Sequence, residues 1–215
     1  HNLLAFEASF IDFMKNSEFI NLLKEAKTTE MILAKDSSET KQVQLNKIKS
    51  SSYESFGKMI KGTSPACVTI ITDGGHGSGF FISKEGYLIT SYHVVDGVNK
   101  IKAKLKSELA LNAVIVAFDK RLDIALLKVD GSGFTALPIA EKATELGDDL
   151  ITIGTPADVD LGQSIAKGVL SGNRKVDEQR YLQINLAISP GNSGGPLLND
   201  KGEVVGVIQS KLVGE

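Results

Sequence analysis

Apolar side chains recur at helical spacing early in the chain, then give way to short runs with the two-residue period of strands. Leu3, Leu4, Phe10, Ile11 and Met14 follow the helical period, and Phe19, Ile20, Leu22, Leu23 and Ala26 continue it behind Ser17, a residue suited to capping a helix start. This spacing predicts two short amphipathic helices or one bent helix. Residues 35–55 are more polar, yet Leu45, Ile48, Phe56, Met59 and Ile60 keep a helical spacing that predicts a third, weaker helix. Pro65 ends helical structure at about Ser64, because proline restricts the residue before it and has no amide hydrogen to donate.

Past Pro65 the runs are rich in β-branched residues and bounded by glycine, asparagine or aspartate. The first group covers residues 67–72, 79–83, 87–91, 98–105, 111–118 and 124–129. Turn signals at Asp130-Gly131-Ser132-Gly133 and an extended stretch at Leu137-Pro138-Ile139 lead to a second group: 149–154, 163–171, 181–186, 195–198 and 203–209. No helical period separates these runs, which argues against a parallel βαβ sheet and leaves two antiparallel barrels or a sandwich.

Composition narrows the chemistry. Lys plus Arg number 24 and Asp plus Glu 26, for a net charge of −2, which argues against a nucleic-acid backbone as partner. No apolar run reaches the ~18 residues needed for a transmembrane helix. A single cysteine, Cys67, forms no internal disulfide, and with three histidines it cannot fill a Cys/His zinc site, so no metal is expected. Cys67 itself reads as a small core residue on the first strand. The glycines around His76 invite comparison with a dinucleotide-binding loop, but they precede a strand instead of a helix, so a solvated hairpin loop is expected.

The most specific segment is Ser189-Pro190-Gly191-Asn192-Ser193-Gly194-Gly195-Pro196. Glycines and prolines around one serine build a tight turn that can expose a hydroxyl among backbone amides. A hydroxyl needs a base within hydrogen-bond reach, and the base needs a group that orients it. His93, at the end of the apolar run Leu88-Ile89-Thr90-Ser91-Tyr92, supplies a candidate base. Asp123, which opens the run Ile124-Ala125-Leu126-Leu127, supplies a carboxylate whose position is costly unless it is paired.

The order His93, Asp123, Ser193 resembles that of the chymotrypsin-fold serine proteases, and most closely their bacterial HtrA/Deg branch. The resemblance rests on Gly77-Ser78-Gly79-Phe80, Thr90-Ser91-Tyr92-His93-Val94-Val95, Asp123-Ile124-Ala125-Leu126-Leu127, Leu161-Gly162-Gln163-Ser164 with Gly168-Val169-Leu170-Ser171, and Pro190-Gly191-Asn192-Ser193-Gly194-Gly195-Pro196, in family order. It implies a mainly β fold of two antiparallel six-stranded barrels: residues 1–64 form a helical N-terminal extension and residues 65–215 the protease domain, with barrel one at about 65–130 and barrel two at about 145–215. The second barrel then lacks its last strand. Either residues beyond Glu215 supply that strand or the barrel is left with an open edge.

By the same resemblance, Ser193 attacks the scissile carbonyl, His93 takes and returns the proton, Asp123 fixes the imidazole tautomer, and the amides of Gly191 and Ser193 bind the oxyanion, each donor being worth about 3 kcal/mol. Ala187, six residues before the serine, lies at the base of the pocket for the side chain preceding the cut and implies an apolar preference. The backbone of Val207, Gln209, Ser210 and Lys211 takes the substrate as an added strand. Two departures from the family stand out: Asn185-Leu186 replaces a Thr-Asp pair, and Gln209 replaces a small hydroxyl residue near the aspartate, a role that could pass to Ser210. The implied function is endopeptidase action on unfolded or damaged polypeptides, without cofactor, in the periplasm or outside the cell of a bacterium. The alternative is a catalytically silent module that only holds peptides. Phe6, Phe10, Phe13 and Phe19 suit either a lid on the β domain or the interface of a homotrimer.

Overall fold

In a computed structural model, residues 3–6, 48–155, 162–176 and 179–212 are described. Residues 7–47 and 213–215 lie outside that set, and with them the helices expected around Phe10, Met14 and Phe19. Two closed six-stranded barrels carry the fold. Barrel one is built from β2 (Cys67–Thr72), β3 (Gly75–Phe81), β4 (Tyr87–Ser91), β5 (Ile101–Lys104), β6 (Ala110–Asp119) and β7 (Ile124–Val129), in the order β2-β3-β4-β7-β6-β5 with β5 paired back to β2. Barrel two comprises β8 (Asp149–Gly154), β9 (Ser164–Val176), β10 (Gln179–Ile184), β11 (Pro196–Leu198), β12 (Val204–Leu212) and β1 (Leu3–Phe6).

β1 corrects the sequence reading twice. Leu3 and Leu4 begin a strand and not a helix, and that strand pairs with both β10 and β12, filling the place left by the missing sixth run. Of the third predicted helix, the described residues show α1 (Phe56–Thr63), whose start is capped by the Ser55 hydroxyl accepting from the Lys58 amide. A 3₁₀ turn, Ser64–Ala66, then carries Pro65 near its start, where a missing amide hydrogen costs nothing.

Burial explains the strand sequences. In β7, Ile124 and Leu126 face the core shared by the two barrels, whereas Ala125, Leu127 and Val129 face the interior of barrel one, so both faces are dry and the run is continuously apolar. β4 divides in the same way, with Ile89 toward the shared core and Leu88 inside the barrel. The shared core also takes Ile151, Ile153, Leu198 and Val204 from barrel two, so the barrels are fused along an apolar seam. The extended stretch Leu137-Pro138-Ile139 stitches them together: the Leu137 amide donates to the Phe81 carbonyl (2.9 Å) and the Val204 amide to the Pro138 carbonyl (2.8 Å).

Cys67 lies on this seam as expected, fully buried in β2. Burial pushes its thiol up from 9.0 to about 12, against a weaker opposing pull from Lys106. The folded chain therefore keeps a proton that the unfolded chain loses, so the Cys67 contribution to stability is intact below about pH 9 and falls as pH rises from 9 toward 12. Iodoacetamide at pH 8 is expected to leave native Cys67 unmodified and to alkylate it after urea unfolding. Equal alkylation rates in the two states would contradict this placement.

Candidate active site

The site assembles where the ends of β4, β7 and β12 meet the turn before β11. Past Ser91 the chain leaves β4 in a single helical turn, α2 (Tyr92–Val95), which the sequence reading did not anticipate and which presents His93 at the surface. Asp123 lies in the tight turn between β6 and β7. The turn is clipped at both ends: the Leu122 amide donates to the Asp119 carboxylate (2.9 Å), and the Tyr92 amide donates to the Asp123 carbonyl (3.0 Å). Asp123 occupies the left-handed region, φ 53°, a conformation costing a non-glycine residue about 1 kcal/mol, with aspartate among the most tolerant.

That strained backbone delivers the carboxylate to His93. Oδ2 lies 2.7 Å from His93 Nδ1, and Oδ1 accepts from the His93 amide at 2.9 Å. One carboxylate thus grips both the ring and the backbone of the histidine. The Asp123 side chain is 16% exposed and that of His93 50%, so the imidazole faces solvent while its partner is largely sheltered. With Nδ1 bonded to a carboxylate, the neutral ring carries its hydrogen there and leaves Nε2 as the proton acceptor.

The serine turn abuts the same residues. The Ser193 carbonyl accepts from the Ser78 amide (2.8 Å), the Gly194 amide donates to the Ile208 carbonyl (2.8 Å), and the amides of Asn192 and Gly195 are spent on the carbonyls of Ser189 and Asn192. Gly77 separates the two halves of the site. A Cβ there would lie 2.7 Å from a Val94 methyl and 3.0 Å from the Ser193 carbonyl oxygen, so the neighbour of His93 and the serine turn both close on this one position. His93, Asp123 and Ser193, predicted from three distant motifs, are brought to one locality.

Three supporting hydroxyls lie in quoted motifs but had no role assigned. Ser78 Oγ donates to the Gly191 carbonyl (2.7 Å) and accepts from the Thr155 amide (3.0 Å), tying the glycine of the serine turn to β3 and to the end of β8. Thr90 Oγ1 donates to the Ser78 carbonyl (2.7 Å), and Ser91 Oγ donates to the Ile208 carbonyl (3.3 Å). Gly191 itself has φ 96°. His76 lies within β3, paired with Ile71, and not in the hairpin loop where the sequence reading put it.

The expected substrate-binding residues lie on two segments, a loop and β12. Ala187 is exposed on the loop between β10 and the serine turn. Val207 corrects the expectation: it is buried and its backbone is flanked by Pro196 on one side and Phe6 on the other, so no further strand can add there. Among the described residues, no strand but β1 pairs with the stretch of β12 that holds Ser210 and Lys211. The Gln209 side chain is buried, with Nε2 donating to the Leu122 carbonyl at 2.6 Å.

Among the described residues no helix is long and apolar enough to cross a membrane. Comparison with known proteins agrees with the geometry. A probable periplasmic serine endoprotease, DegP-like, from Pseudomonas savastanoi pv. phaseolicola is 40% identical over 136 residues, which cover 61% of this chain and 28% of that protein. The corresponding protein of Ectopseudomonas mendocina is 42% identical over 137 residues, again 61% of this chain and 28% of its own length. The chain therefore spans little more than a quarter of these relatives. The crystal structure of the serine endoprotease from Yersinia pestis superposes with a TM-score of 0.64 at 29% identity, covering 73% of this chain and 58% of that one. Residues 77–207, which hold His93, Asp123 and Ser193, match the trypsin-like peptidase domain, and the chain belongs to that family.

Proposed function

We propose that the chain is a serine endopeptidase of the HtrA/Deg type that cleaves unfolded polypeptides through an acyl-enzyme. The observation that carries this reading is the pair of bonds from Asp123 to His93, with the Ser193 turn closed against the same α2 segment. Ser193 Oγ adds to the scissile carbonyl as its proton passes to His93 Nε2. The imidazolium so formed is stabilised by Asp123 and then protonates the leaving amine. Water next adds to the acyl-enzyme, again through His93, and releases the acid product and free Ser193. Gly191, whose carbonyl is held by Ser78, and Ser193 itself would present their amides to the oxyanion. Ala187 puts no charge at the base of the pocket, which favours Val, Leu, Ile or Ala before the cut, since an Arg or Lys there would bury an unpaired charge. Periplasmic action is supported by the names of the relatives.

A fluorophosphonate probe together with an unfolded casein substrate tests the reading. Labelling is expected on the native chain and not on Ser193→Ala, with casein cut mainly after small or branched apolar residues. Absence of labelling across several conditions in folded protein would replace the enzyme with a peptide-holding module. Cleavage mainly after Arg or Lys would overturn the pocket assignment alone.

A further inference from the structure

Gln209 reaches from β12 of barrel two to the carbonyl of Leu122 in barrel one, 87 residues away in sequence, with Nε2 to oxygen at 2.6 Å and the side chain 2% exposed. Leu122 directly precedes Asp123, so the bonded carbonyl belongs to the peptide group whose rotation sets the Asp123 φ angle. The other side of Asp123 is held by the Tyr92 amide on its own carbonyl (3.0 Å), and the amide of that same Leu122–Asp123 peptide reaches the Lys120 carbonyl only at 3.4 Å. The buried bond from Gln209 is therefore the shortest of the hydrogen bonds on the peptide groups either side of a left-handed residue (φ 53°), which would otherwise relax toward negative φ. Relaxation would swing the carboxylate away from the two His93 nitrogens it now grips at 2.7 and 2.9 Å.

We propose that Gln209 is a positioning residue: its carboxamide locks the Leu122–Asp123 peptide and so aims the Asp123 carboxylate at His93 across the seam between the barrels. The inference rests on the triad reading above. It also gives the buried glutamine an energetic reason, because a carboxamide withdrawn from water must be hydrogen-bonded to be tolerated.

Gln209→Met keeps the length and bulk and removes the donor, while Gln209→Glu keeps the shape and sets an oxygen against the carbonyl. For both, kcat on a peptide ester is expected to fall about 10- to 100-fold with KM within about twofold. The low-field proton resonance of the His93 Nδ1–H···Asp123 hydrogen bond should shift or vanish in the variants. A purely structural role would lower the melting temperature and leave that resonance in place. Should Gln209→Met not fold, Gln209→Glu gives the same two readings. A folded variant with wild-type kcat and an unmoved resonance, alongside inactive His93→Ala and Ser193→Ala chains, overturns this inference and leaves the triad standing. If His93→Ala hydrolyses the ester as fast as wild type, the triad reading falls, and the role of Gln209 falls with it.

Discussion

Asp123→Asn is expected to lower kcat/KM about 10⁴-fold while leaving the fold intact. The size follows from the geometry at one oxygen. Oδ2 accepts from His93 Nδ1 at 2.7 Å, and an amide nitrogen in its place would donate to Nδ1 and drive the ring hydrogen to Nε2. A ring protonated at Nε2 cannot take the Ser193 proton. The backbone is not the cause of the loss, since asparagine, like aspartate, tolerates the left-handed φ of 53°. The remaining Oδ1 can still accept from the His93 amide, so α2 should stay in place. Asp123→Ala would mix chemistry with backbone strain and is the poorer test. Steady-state hydrolysis of a peptide ester, read beside near-ultraviolet circular dichroism, decides the matter. A folded Asp123→Asn chain losing less than tenfold would mean that the carboxylate does not set the tautomer.

The features legible in the sequence are those written in local chemistry. The Ile124-Ala125-Leu126-Leu127 run reads as strand because both its faces are dry, and the serine turn reads as a nucleophile site because its glycines and prolines suit little else. His93 and Asp123 were placed by motif, and the fold brings them into contact. What escaped the sequence reading depends on contacts between distant segments. Leu3–Phe6 carries a pattern too short to separate strand from helix, and its strand state is fixed only by β10 and β12 on either side. The short helix around His93 forms because the Tyr92 amide is captured by the Asp123 carbonyl from the turn before β7. Gln209 read as a departure near the aspartate, with its supporting role passed to Ser210, since nothing local reveals a carbonyl 87 residues earlier as its partner. Val207 was misplaced for the same reason: a strand edge cannot be called free until the strands on both its sides are known.

Gly194→Ala is expected to abolish activity and to lower the melting temperature by about 6–12 °C, the shift for a loss of about 3 kcal/mol in a chain of this size. Gly194 has φ 85°, where an L side chain is strained. A Cβ on it would lie 2.3 Å from the Ser78 carbonyl oxygen, 2.4 Å from Thr90 Oγ1 and 2.7 Å from the Ser91 amide nitrogen. None of these atoms can yield cheaply. The Ser78 carbonyl already accepts from Thr90 Oγ1 at 2.7 Å, Ser78 is fixed in the ladder of β2 and β3, and Thr90 in that of β3 and β4. The serine turn must therefore move out, which breaks the bonds from the Ser78 amide to the Ser193 carbonyl and from the Gly194 amide to the Ile208 carbonyl. Ser193 would then lose its place beside α2. Gly57→Ala supplies the control: that glycine is in α1 with nothing within 4 Å of an added Cβ, so the same chemical change should be neutral or stabilising by a few tenths of a kcal/mol, at most about 1. Thermal unfolding and fluorophosphonate labelling of the two variants measure both halves of the prediction. A Gly194→Ala chain that melts with wild type and labels at the wild-type rate would show that the serine turn is not held against β3 and β4 in the way described.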